Sequence, residues 1–120
     1  MTRDWQLIKT ILIKLEALES TRAMLRPDAV TGYDSETVSY HIRLLMQSGM
    51  IDGSCNATLN EPLYCYGRTL TWEGHEFLDT IRSDTSWNRI TKTAREKGLD
   101  LSFGIIKAIA EGVTKALVTI

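Results

Sequence analysis

A chain of 120 residues with a net charge of −1 and 43% hydrophobic side chains has the length of one compact domain and enough apolar material for a core without metal or disulfide staples. The charges in its opening, MTRDWQLIKT, and the lack of any 18-residue stretch free of charge exclude a signal peptide and a membrane-spanning helix, so a cytoplasmic location is expected. In that reducing compartment Cys55 and Cys65, which lack CxxC spacing, are expected as buried thiols rather than a bridge.

The first helix is predicted where Trp5, Ile8, Leu12 and Leu15 recur at a 3.6-residue period, with Ile11 and Leu18 widening the stripe. Thr2 or Asp4 can cap its start. Residues 20–34 lose the period, and Pro27 and Gly32 mark an irregular link that is barely long enough for a middle helix. A second helix opens at DSETV, where Asp34 or Ser35 can cap, and it runs to about Ser48 before Gly49 stops it.

Residues 50–57 and 63–70 alternate on either side of LNEP, which predicts a wing-like hairpin with Cys55 opposite Cys65. Ile51, Cys55, Ala57, Leu63 and Cys65 then share the inner face, and Tyr64, Tyr66 and Arg68 the outer one. Thr71 caps a following helix whose inner side carries Leu70, Gly74, Phe77, Leu78 and Ile81. SDTSWNRITKTAREKG reads as a further helix ended by Gly98, and SFGIIKAIAEGVTKALVTI as a long amphipathic one capped by Ser102. The expected fold is mainly α with a small antiparallel β-hairpin, an α+β winged helix-turn-helix over residues 1–83. Residues 84–120 follow as a C-terminal helical extension that packs on it or forms an oligomer interface.

The phrases RDWQLIKTILIKLE, YHIRLLMQSGMIDG and LTWEGHEFLDTIRSDTSWNRITK resemble the phage- and prophage-associated domain-of-unknown-function family 2513 over nearly the whole chain. The resemblance implies a winged-helix fold and a phage or prophage setting, hence a host cell's cytoplasm, and it brings no activity with it.

WEGHEFLD looks at first like a zinc-hydrolase helix, but it lacks the second histidine, and the only other histidine is His41. His75 and Asp79, four residues apart opposite the buried face, are expected as a solvated pair. A wider set of His41, Cys55, Cys65 and His75 lacks the short spacing that pre-organises a zinc site, and His41 is expected as a semi-buried packing residue. No nucleophile elbow, phosphate loop or paired carboxylates occur, so no enzyme, metal or cofactor is expected.

Binding residues are the remaining candidates. The outer side of the second helix offers Ser39, Tyr40, Arg43 and Gln47 beside Glu36, positions that face the major groove in a winged helix. The wing adds Tyr64, Tyr66 and Arg68, and RITKTAREK adds Arg89, Lys92 and Arg95 along one helical side. Duplex DNA is the first expected partner, which makes the chain a small DNA-associated regulator; a host defence or control protein is the alternative. Phe103, Ile106, Ala110, Val113 and Leu117 form an apolar seam on the last helix, an expected homodimer interface.

Overall fold

Asp4 and Asp34 set where the first two helices begin. The computed structural model describes the backbone of residues 1–56 and 59–118, with side chains up to residue 112. Helix α1 (Trp5–Glu16) starts where the Asp4 carboxylate accepts the Leu7 N–H at 3.1 Å. Helix α2 (Ser35–Gln47) starts where Asp34 accepts the Thr37 N–H at 2.9 Å. Each carboxylate satisfies an orphan donor of a first turn, and the hydrogen bonding of Thr37 holds the Asp34 carboxyl below its ordinary value. Between the helices the one helical element is a 3-10 turn, Pro27–Ala29. Gly49 ends α2 with a φ of 80°, in the left-handed region open to glycine.

The hairpin follows, with β1 (Ile51–Cys55) antiparallel to β2 (Cys65–Leu70). Cys55 faces Cys65 at the tip, as the alternation predicts. Toward the base, Asp52 pairs with Thr69 whereas Gly53 pairs with Gly67, so Arg68 is an extra residue, a β-bulge. The bulge shifts Ile51 from Thr69 to Leu70 and lets Gly67 and Leu70 both turn inward. At Gly67 a Cβ would lie 2.9 Å from a Leu15 methyl, so α1 rests directly on β2. The outer edge of β2 is covered by a single bridge, in which Leu25 and Gly67 exchange backbone hydrogen bonds of 2.8 and 2.9 Å.

Cys55 and Cys65 are joined in a disulfide, which corrects the expectation of free thiols. The antiparallel register places the two residues directly opposite, 4.1 Å apart at Cα, so their sulfurs meet.

Helix α3 (Trp72–Ile81) packs by its predicted face: Gly74, Phe77, Leu78 and Ile81 are buried. Thr71 is its anchor, with its hydroxyl donating to Gly49 O at 2.6 Å and accepting the Gly74 N–H at 3.1 Å. A Cβ on Gly74 would overlap the Met50 carbonyl oxygen, so glycine permits the close approach of α3 to the start of the hairpin.

The chain divides into two compact units, Met1–Leu78 and Asp79–Ile120, inside α3 and ahead of the expected 83/84 boundary. In the first, α1 and α2 pack on each other and on the hairpin around Leu7, Ile8, Ile11, Leu12, Val38, Ile42 and Leu45, all at most 1% exposed. In the second, α4 (Asp84–Glu96) and α5 (Phe103–Val118) pack together. Ser83 and Ser102 cap them, accepting from Ser86 N and Ile105 N. Gly98 closes α4 with a φ of 67°.

Gly74→Ala is expected to lower stability by about 1–3 kcal/mol through overpacking. Gly112→Ala, at an exposed helix position with open space around its Cβ, is expected to raise it by up to about 1 kcal/mol through helix propensity. Urea midpoints of the two variants should therefore move in opposite directions. Reducing the disulfide opens a link between residues 10 apart and is expected to lower stability by about 2–3 kcal/mol, read as a drop in the urea midpoint with reductant that a Cys55→Ser variant does not show.

Candidate nucleic-acid interface

The buried stripe of α2 is Val38, Ile42 and Leu45, and it carries one polar residue on each flank: Ser39 at 0% and His41 at 1% exposure. Both are fully used inside the protein. At the tip of the hairpin Asn56 N donates to Tyr64 O at 2.9 Å, so the next pair, Cys55 with Cys65, points its amides away from the ladder. The Cys65 N–H then meets the Ser39 hydroxyl oxygen at 2.9 Å. Ser39 is thereby withdrawn from the predicted binding set, because an N–H on the outer edge of β2 needs an acceptor and this hydroxyl is the one in reach.

His41 is more deeply placed than the semi-buried packing residue expected. Its Nε2 lies 2.9 Å from the Asp4 backbone nitrogen, which can only donate, so Nε2 accepts. The proton is therefore on Nδ1, which donates to Thr37 O at 2.8 Å. One imidazole thus ties the residue that caps α1 to the first turn of α2.

The outer face of α2 holds Glu36, Arg43 and Gln47 exposed and Tyr40 half-buried. Arg43 Cζ lies 5.6 Å from the Tyr40 ring centroid, a cation–π distance, and the Tyr40 ring meets His41 edge-on, 5.6 Å between centroids. The sequence pattern did not bring the N-terminal segment to this face, yet Met1, Thr2, Arg3 and Trp5 enclose a shallow pocket of about 580 Å³ with Tyr40 and Leu44. Arg3 Cζ stands 5.4 Å from the Trp5 ring. Trp5, assigned by periodicity to the buried stripe of α1, is half-buried, and Leu7 extends the buried face instead. A tryptophan one residue after a capping aspartate, with an arginine before it, was the available signal.

On the hairpin Tyr64 is 39% exposed, Arg68 is exposed and Tyr66 half-buried, as the alternation predicts. Arg68 Cζ lies 5.8 Å from the Tyr66 ring. Hydrogen bonding from Ser54, then from Arg68, lowers the Tyr66 phenol from its ordinary value. The bulge also places Arg68 on a polar groove of about 700 Å³, lined among others by Glu16, Asp52, Thr69 and His75. The expected His75–Asp79 pair gives way to other contacts: His75 lines this groove, and Asp79 accepts from Arg82 Nη2 at 3.0 Å. Trp72, overlooked in the sequence, is 78% exposed and donates its indole N–H to Glu76 at 2.8 Å; it lies opposite Gly74, Phe77 and Leu78 on a helical wheel, which is how it could have been found.

In the second unit Arg89, Lys92 and Arg95 are exposed along α4. Of the predicted seam on α5, Phe103 and Ala110 are half-buried. Ile106 is 0% exposed, so it belongs to the interior of the chain and not to an open interface, a correction that follows from the packing of α5 on α4. The side chains of Val113 and Leu117 lie outside the described residues. Among the described residues no helix is long and apolar enough to cross a membrane, and no three His, Cys, Asp or Glu side chains gather to hold a metal ion.

Fold and surface together define a mainly helical α+β protein with a two-stranded hairpin and a cation-bearing aromatic face on α2. The chain belongs to the family described as "Hypothetical protein (DUF2513)", whose model matches residues 2–100. It is 49% identical over 113 residues to an "Uncharacterized protein" of Haemophilus influenzae, covering 94% of this chain and 95% of the relative. No solved structure matches.

Ser39→Ala strands the buried Cys65 N–H and is expected to cost about 1–3 kcal/mol, whereas Gln47→Ala, on the exposed face, is expected to cost less than about 0.5 kcal/mol. Chemical denaturation of both variants checks the separation between a buried fold residue and a surface residue of α2.

Proposed function

We propose that the protein is a small, non-catalytic DNA-associated regulator of winged-helix type, with α2 as the reading helix and the hairpin as the wing, in the phage or prophage setting that its sequence phrases imply. The observation that carries the reading is the row Tyr40, Arg43 and Gln47 on the outward side of α2, with the Arg43 guanidinium stacked by the Tyr40 ring. Arginine and glutamine are side chains that form paired hydrogen bonds to guanine and adenine edges in the major groove, and tyrosine reaches phosphate oxygens. The cation–π contact, 5.6 Å from Cζ to the ring centroid, restrains the exposed guanidinium beside Tyr40. Arg68, aimed outward by the bulge and stacked on Tyr66, supplies a second cation on the wing.

Glu36 on the same helix face disfavours phosphate nearby, so binding depends on a few placed cations rather than on bulk charge. Duplexes selected from a random library by the full-length protein should share a motif. Arg43→Ala should relax the preference for one base pair at a cost of about 1–3 kcal/mol. Lys92→Ala should weaken every sequence alike. No duplex retained at low salt would overturn the reading.

Trp72 favours a second reading. A ring that is 78% exposed is a strong contact residue for a protein partner, and a stable protein complex that survives nuclease treatment and is lost in Trp72→Ala would support that role.

A further inference from the structure

Residues 1–5 lie ahead of and within the first turn of α1, and the fold places them on the outer face of α2. The connection is His41, whose Nε2 accepts the Asp4 N–H at 2.9 Å while the ring is held from its other side by Thr37 O. Asp4 therefore has a fixed position against α2, and its neighbours Arg3 and Trp5 share one pocket with Tyr40 and Leu44. The Asp4 carboxylate accepts the Leu7 N–H at 3.1 Å. Arg3 and Arg43 each lie over an aromatic ring, at 5.4 and 5.6 Å, and both are exposed. Thr2, also exposed, adds a hydroxyl and a backbone amide on the same rim.

We propose that the N-terminal segment Thr2–Trp5 is a second contact element for duplex DNA, in which Arg3 engages a backbone phosphate beside the base pairs faced by α2. The inference rests on the reading of α2 as the DNA-facing helix and adds to it a residue that positions without reading sequence. An anionic, repeating partner fits this surface because two exposed cations, Arg3 and Arg43, lie over Trp5 and Tyr40, two rings that line one pocket. Phosphate contacts from outside the reading helix are the usual means by which a protein fixes its register on a duplex. Trp5 and Tyr40, being half-buried, hold the guanidinium groups rather than intercalate.

The test is fluorescence anisotropy of the full chain with a labelled duplex carrying the selected motif and with an unrelated duplex, each titrated with salt. Arg3→Ala should weaken both duplexes by a similar factor, about 3–10-fold, and should lower the slope of log K against log salt by about one. Its preference for the motif should be unchanged, and Arg3→Lys should restore the slope. Arg43→Ala should differ by losing preference as well as affinity. An unchanged slope in Arg3→Ala, with Arg43→Ala impaired, would overturn the segment's role while leaving the reading of α2 in place. A wild-type protein that binds neither duplex but holds a protein partner through this face would overturn both. Circular dichroism of Arg3→Ala should match wild type, since the side chain is exposed and the His41 link uses only backbone and residue 4.

Discussion

One buried imidazole decides how the first two helices meet. His41 accepts from the backbone of Asp4 and donates to the carbonyl of Thr37, and these partners belong to the starts of α1 and α2. Asp4 caps the first helix, and Thr37 is the residue whose amide Asp34 caps in the second. The chain between the helices adds only a 3-10 turn and one β-bridge. Removing the ring would leave the partly buried Asp4 N–H without its acceptor, at about 1–3 kcal/mol, whereas Thr37 O keeps its helical partner, the His41 backbone N–H. The ring's volume, fully enclosed, would be lost as well.

The surface inherits this arrangement. Tyr40 precedes His41 and packs edge-on against it; Arg3 and Trp5 flank Asp4. Fixing the His41–Asp4 link therefore fixes where Tyr40, Arg3 and Trp5 sit. Ser39 plays the matching role on the other flank of the stripe, where it binds the edge of β2 and holds the hairpin to the same helix. The recognition surface proposed here, α2 with the wing and the N-terminal segment, is thus referred to a single helix through two polar side chains that never reach solvent. Three arginines of this unit, at 3, 43 and 68, each lie over an aromatic ring, which restrains these side chains relative to freely sampled rotamers.

Helix starts were legible because capping is local chemistry: Asp4, Asp34, Ser83 and Ser102 each accept from an amide three residues on, and the pattern is written in the sequence. Gly74 was legible for a similar reason, since a glycine in the middle of a buried helical face points to a close backbone approach. Ser39 was not, because it sits at the border of the apolar stripe and its burial follows from an unpaired amide on a strand that begins 26 residues later. The bulge at Arg68 escaped because alternation is satisfied on both sides of a one-residue slip, and only the packing of Leu15 on Gly67 selects it. The place of Arg3 and Trp5 required knowing what His41 binds, a tertiary hydrogen bond between residues 37 apart.

The most direct measurement is a two-dimensional amide spectrum of the isotope-labelled full chain, titrated with a duplex carrying the selected motif. Shifts concentrated at residues 2–5, at 40–47 and at 64–68, with the interior amides of Leu12 and Ile42 unmoved, would be the result expected of a DNA surface organised by His41. A spectrum unchanged by duplex at low salt, or shifts confined to the groove around Asp52 and His75 or to the face of Trp72, would contradict it.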